Sequence, residues 1–166
     1  MKFKIHTILI VILVNFYTSV NASGKSVQFS LKTMKNEIIL IDSLINKAPV
    51  LITFWALWCN PCKEELQALN RLKDEYPFNK ISIVAVNQDR PRSLARVRSY
   101  ISTHRFPFIF CIDPNQELLH LLNSWAIPFT VLISKEREIV LRHTGYLSGD
   151  EKFLQKEIEF HLQNKK

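Results

Sequence analysis

The stretch from Val50 to Cys62 constrains this chain most: a nearly unbroken apolar run, Val50-Leu51-Ile52-Thr53-Phe54-Trp55, ends just ahead of Trp58-Cys59-Asn60-Pro61-Cys62. A run without the apolar–polar alternation of a half-exposed strand suits one buried on both faces, in the middle of a sheet. From Cys59 to Glu75, the residues Leu66, Leu69, Leu72 and Tyr76 recur at helical spacing, and Pro77 follows as a stop signal. Lys80 to Val86 then repeats the buried-strand pattern through Ile81, Ile83, Val84 and Val86. Strand, helix and strand in this order form a right-handed parallel unit, so the expected fold class is α/β.

That order places two thiols one helical turn apart at the start of a helix. The first N–H groups of a helix are unpaired and its dipole favours an anion there. For Cys59 the anion is a thiolate, the nucleophile of disulfide exchange. A site that lowers a thiol pKa below its free value of about 8.5 makes Cys59 the attacking group, and Cys62, a turn deeper, would resolve the mixed disulfide. The bland alternatives are a permanent structural disulfide or half of a zinc site. No second C-x-x-C or C-x-x-H completes a metal site, so no metal is expected, and no cofactor beyond the disulfide itself.

Composition limits the other options. The chain has 166 residues, 47% hydrophobic and 22% charged, which fits one globular domain with its own core. Three cysteines are too few for a disulfide-stapled scaffold. The third, Cys111, sits in an apolar stretch and is better taken as a buried small hydrophobe than as a second resolving thiol. The formal net charge is +7; beyond Ala22 the chain keeps 20 basic against 15 acidic residues, with mostly scattered signs. The arginines at 90, 92, 96, 98 and 105 form the one local cluster, expected on a solvated helix face. His104, His120, His143 and His161 have no metal or triad spacing and are expected at the surface. No phosphate loop or nucleic-acid motif is present, so nucleic acid is not an expected partner. Trp55, Trp58 and Trp125 are all candidates for the core, but Trp58, next to the nucleophile, is expected on a docking surface.

Met1 to Ala22 has a basic start at Lys2 and Lys4, an apolar middle from Ile8 to Val14 and small side chains at Val20 and Ala22. This pattern predicts a secretory signal cleaved after Ala22, with an uncleaved anchor from Ile5 to Val20 as the alternative. Either way the remainder, residues 23–166, is exported as one domain. Ser26 to Ile41 alternates around Lys35-Asn36-Glu37 and predicts a hairpin. Asp42 to Lys47 suggests a short helix or turn. Helices are further expected over Ser93 to His104 and Gln116 to Asn123, and strands over Phe108 to Ile112, Phe129 to Ser134 and Glu138 to Thr144, the last two antiparallel. Ser148-Gly149-Asp150-Glu151 has capping-box spacing ahead of a closing helix that turns Leu154, Ile158 and Leu162 inward.

Phe54-Trp55-Ala56-x-Trp58-Cys59-x-Pro61-Cys62, Ile127-Pro128-Phe129-Thr130 and the final two strands and helix together resemble thioredoxin. The N-terminal hairpin and the helix and strand inserted between Arg92 and Ile112 make the chain more similar to the exported TlpA/ResA/DsbE-like branch. The resemblance implies a central mixed sheet flanked by helices. It also implies a cis Ile127-Pro128 bond against the dithiol, which leaves the Ile127 backbone free to pair with an extended substrate; cis bonds are essentially confined to X-Pro. Thioredoxins carry a buried acid where Thr53 stands here, and Glu65, one turn after Cys62, is the candidate replacement; a solvated helix glutamate is the equal alternative. Asn60 replaces the usual glycine of Cys-Gly-Pro-Cys, which bears on the reduction potential.

The resemblance implies a periplasmic thiol:disulfide oxidoreductase that reduces protein disulfides, with Pro61 and Pro128 shaping the site. Proline before Cys62 and isoleucine before the second proline both match reducing thioredoxins. A membrane-embedded thiol donor of the DsbD/CcdA type would recharge the dithiol, with cytochrome c maturation thiols as clients, and a monomer is expected. The rivals are an oxidase or isomerase using the same residues and an exported binding module with an inert disulfide. A peroxidase is disfavoured, because no peroxidatic threonine-cysteine loop is present.

Overall fold

The computed structural model describes residues 27–164; the expected export signal, Met1 to Ala22, lies outside them. The elements in order are strands β1 (Ser30–Thr33) and β2 (Ile38–Leu40), helix α1 (Ile41–Ile45), β3 (Val50–Trp55), α2 (Asn60–Leu72), β4 (Ser82–Asn87), α3 (Leu94–His104), β5 (Ile109–Ile112), α4 (Glu117–Leu121), β6 (Phe129–Ile133), β7 (Ile139–Thr144) and α5 (Asp150–Gln163). Seven strands make one mixed sheet in the order β2-β1-β5-β4-β3-β6-β7. β3, β4 and β5 run parallel, and every other neighbouring pair is antiparallel. The hairpin β1–β2 extends the sheet at one edge and β6–β7 closes it at the other, both as the residue pattern predicts.

Because β3 lies between β4 and β6, all six of its residues are buried. Its side chains alternate between two cores. Val50, Ile52 and Phe54 pack with Val84, Val86 and Cys111 against Ile41, Ile45, Leu118 and Leu119 of α1 and α4. Leu51 meets Leu69, Leu154 and Ile158 of α2 and α5, and Trp55 meets Cys62 and Leu66 of α2 and Val97 of α3. Each fully buried aliphatic side chain contributes about 1.5–3 kcal/mol. The sheet thus separates a face that carries the dithiol helix from one that does not.

Three local expectations differ from the structure. α2 ends at Leu72, and the following turn leaves Tyr76 43% exposed, while Phe78 enters the core in its place. The Tyr76-Pro77 bond is cis, as is Ile127-Pro128; only the second was anticipated. Ser148 does not cap α5. Gly149 is the N-cap, in a left-handed conformation at φ 108°, and Glu151 Oε2 accepts its N–H at 2.9 Å. The glutamate half of the capping box survives while the serine half is lost, since the chain enters the helix one residue later.

Candidate active site

The turn between β3 and α2 is set from three sides. Asp89, 5% exposed just beyond the end of β4, accepts the Leu57 N–H on Oδ2 at 2.8 Å and the Asn87 amide on the same oxygen at 2.9 Å. The Cys59 N–H donates to the Ala56 carbonyl, and Cys59 becomes the N-cap of α2. Its Sγ accepts the Cys62 N–H at 3.3 Å, the bond a serine or aspartate hydroxyl or carboxyl oxygen makes at other helix starts. Pro61 occupies the first turn, where a missing N–H costs nothing. Cys59 and Cys62 form a disulfide with Cα atoms 5.3 Å apart.

Exposure distinguishes the two sulfurs. Cys59 is 6% exposed and Cys62 is sealed, so Cys59 alone offers an approach to a partner. Trp58 beside it is 68% exposed, on the surface as anticipated, whereas Trp55 is fully buried. Trp125, a core candidate by sequence, stands 74% exposed next to His120. Ile127 packs at the edge of the dithiol core, and Pro128 follows it into β6.

Glu65 is not a solvated helix residue. It is 1% exposed, and it accepts hydrogen bonds from the Thr53 hydroxyl on Oε2 at 2.8 Å and the Thr130 hydroxyl on Oε1 at 2.7 Å. Thr53 and Thr130 are direct partners across β3 and β6, so their side chains share the face beneath α2. Burial pushes the Glu65 carboxyl up to about 7; the two hydroxyls pull the other way without cancelling it, and Asp150 adds a small push upward. A buried acid thus lies over the Thr53 position, carried by the helix, with the strand threonine as its donor. Thr130 was not singled out by sequence. Its one signal was its place beside the second cis proline.

Cys111 has no route to the dithiol. It pairs in register with Val86 and shares that residue's core, across the sheet from α2. Burial pushes its thiol up to about 12, as expected of a small hydrophobe and not of a resolving thiol. Two histidines expected at the surface are partly buried and bonded: His104 stacks on Phe106 and bonds the Tyr100 carbonyl, and His143 bonds Asp150. Among the described residues no cluster of three or more metal-binding side chains occurs.

Comparison with known proteins agrees with this geometry. Residues 23–142 match the model of the AhpC/TSA family. The chain is 30% identical to the thiol-disulfide oxidoreductase ResA of Halalkalibacterium halodurans over 124 residues, 75% of this chain and 69% of that protein. It is 32% identical to the thioredoxin-like protein YneN of Bacillus subtilis, over 74% of this chain and 71% of the relative. Among solved structures, a putative thiol:disulfide interchange protein DsbE from Chlorobium tepidum superimposes with a TM-score of 0.72 at 23% identity, covering 83% of this chain and 95% of that one. A family that includes thiol-disulfide oxidoreductases accounts for a disulfide capping a helix over a buried acid, and the chain belongs to it: it is a thioredoxin-like thiol-disulfide oxidoreductase of the AhpC/TSA family.

Proposed function

We propose that the protein works outside the cytoplasm as a reductant of protein disulfides. The observation that carries the mechanism is the asymmetry of the pair, a reachable Cys59 beside an exposed Trp58 and a sealed Cys62 one turn from a buried carboxyl that titrates near neutrality. The Cys59 thiolate attacks one sulfur of a client disulfide, and the other client sulfur leaves as a thiolate. Cys62 then loses its proton to the Glu65 carboxylate and attacks Cys59 Sγ, which restores the Cys59–Cys62 disulfide and releases the second client thiolate. Trp58, Pro61, Ile127 and Pro128 form the docking rim, with the Ile127 backbone pairing to an extended client.

Export is supported by the signal-like Met1 to Ala22, with residues 23–166 as the working domain. Among the described residues no helix is long and apolar enough to cross a membrane. A membrane-embedded thiol donor of the DsbD/CcdA type would return the pair to the dithiol state, and cytochrome c maturation thiols are suitable clients. The reducing direction rests on Pro61 before Cys62 and Ile127 before Pro128, as in reducing thioredoxins.

The equilibrium reduction potential of Cys59 and Cys62, titrated against defined thiol buffers, tests the direction. A value near the thioredoxin end, about −270 mV, supports a reductant, and one between roughly −180 and −120 mV makes the protein an isomerase or oxidase. A pair that cannot be cycled without unfolding is a structural disulfide and ends the enzymatic proposal.

A further inference from the structure

Directly beside Trp58 lies an open cleft of about 690 Å³, on the far side of the β3–α2 turn from β6. Arg90, Arg92 and Arg96 line it, all exposed, and none forms an ion pair among the described residues. Arg96 donates only to the Ser93 hydroxyl at 3.3 Å. The single carboxylate in the lining, Asp89, is 5% exposed and occupied by Leu57 and Asn87. The cleft also takes in Ser93, the N-cap of α3, whose side chain caps nothing and whose first turn carries no acidic residue. An anion there is favoured by the arginines.

The groups beneath the arginines are committed within the chain. Gln88 lines the same cleft and is 4% exposed. Its orientation is fixed, because Nε2 donates to Asp113 Oδ2 at 3.3 Å and a flipped amide would turn its oxygen onto that carboxylate. Asp113 is itself tied to the N–H groups of Glu117, Leu118 and Leu119. Three cations without an ion-pair partner, beside the exposed Trp58 that precedes the reactive cysteine, match a peptide that brings carboxylates.

The geometry points to a client-docking cleft in which Arg90, Arg92 and Arg96 receive an acidic segment of the protein substrate adjacent to its disulfide. This rests on the proposed reduction of protein disulfides and deepens it by assigning the client chemistry. The arginines, expected from sequence to be a solvated helix face, become a specificity element. Arg98 and Arg105 do not line the cleft, and Arg98 donates instead to the Met34 carbonyl.

The test uses labelled peptides with serines replacing the disulfide cysteines, flanked by glutamates, glutamines or lysines, and reads binding to the oxidised protein by fluorescence anisotropy. The glutamate peptide is expected to bind at least about tenfold tighter than the glutamine peptide, with an affinity that falls as salt rises. The R90Q/R92Q/R96Q variant loses that preference, and R98Q/R105Q, which also removes cationic charge, keeps it. Equal binding of the three peptides, or equal loss in both variants, overturns the cleft, the second outcome assigning the effect to net charge. Turnover of the glutamine peptide in its disulfide form is measured alongside. If it is not reduced at all, the proposed function fails whatever the binding shows.

Discussion

Cys59 and Cys111 are the same side chain in opposite circumstances, and the sheet divides them. Cys59 caps a helix, accepts an N–H from Cys62 and meets solvent beside Trp58; Cys111 lies inside β5 among Ile, Leu, Val and Phe side chains with its thiol pushed up to about 12. A thiolate is stabilised where N–H groups and a helix dipole face it and destabilised where only hydrocarbon does. The contrast extends to the two faces of β3. One face holds Ile52 and Phe54 in an apolar core, and the other holds Thr53 under Glu65. Within β3 itself, the one buried hydroxyl faces the dithiol helix.

Exchanging the sulfur on each side breaks the comparison most sharply. C59S is expected to remove disulfide reduction by about 10³-fold or more and to trap no client, whereas C62S accumulates mixed disulfides that can be seen on non-reducing gels. Persistence of exchange in C59S that survives in C59S/C62S would mean that the burial of Cys111 does not silence it.

Glu65→Gln comes next and separates activity from stability. Resolution of the mixed disulfide is expected to slow by about 10²-fold, and the inflection near pH 7 in its rate should disappear. The folded carboxyl keeps its proton to about 7 while the unfolded one releases it near 4.5, so its contribution is fully present below pH 4.5 and is lost as pH rises through 7. Glutamine does not titrate and can still bond both threonines. Denaturant unfolding at pH 8 should therefore find the variant more stable than the native chain by about 3 kcal/mol, and at pH 4 nearly equal. A less stable variant at pH 8 would show that the carboxylate is held by more than the two hydroxyls.

The smallest functional effect belongs to Cys111→Ser. It buries a hydroxyl among hydrocarbon, at a cost of about 1–3 kcal/mol measured by unfolding, while the rate of client reduction stays within about twofold. Consistently, an alkylating reagent at pH 8 should modify Cys111 only after unfolding. Rapid labelling of the folded chain would erase the distinction between the two faces.

Much of this molecule was legible in its residues for a physical reason: local signals have short range. The continuous apolar run of β3, the thiols one turn apart, the turn residues of both hairpins and Pro128 each act within a few neighbours, so the α/β order, the hairpins, the helix start and the dithiol followed from them. The same locality misplaced Tyr76 and the start of α5, where a one-residue difference in the chain path decides which side chain faces inward. It also left Glu65 undecided, because a glutamate at position i+3 of a helix looks alike whether it faces solvent or a sheet.

Tertiary structure settled what depends on residues far apart in sequence. Glu65 is buried because β3 and β6 become neighbours and bring Thr53 opposite Thr130, 77 positions along. Cys111 is isolated from the dithiol because its register with Val86 turns it to the other face of the sheet. The arginines of one helix start gather with Gln88 and Trp58 because β4 and β3 end side by side. Sequence alone determined that a disulfide would cap a helix after a buried strand; only packing decided which acid, which hydroxyls and which charges surround it, since burial and partnership are properties of the assembled sheet.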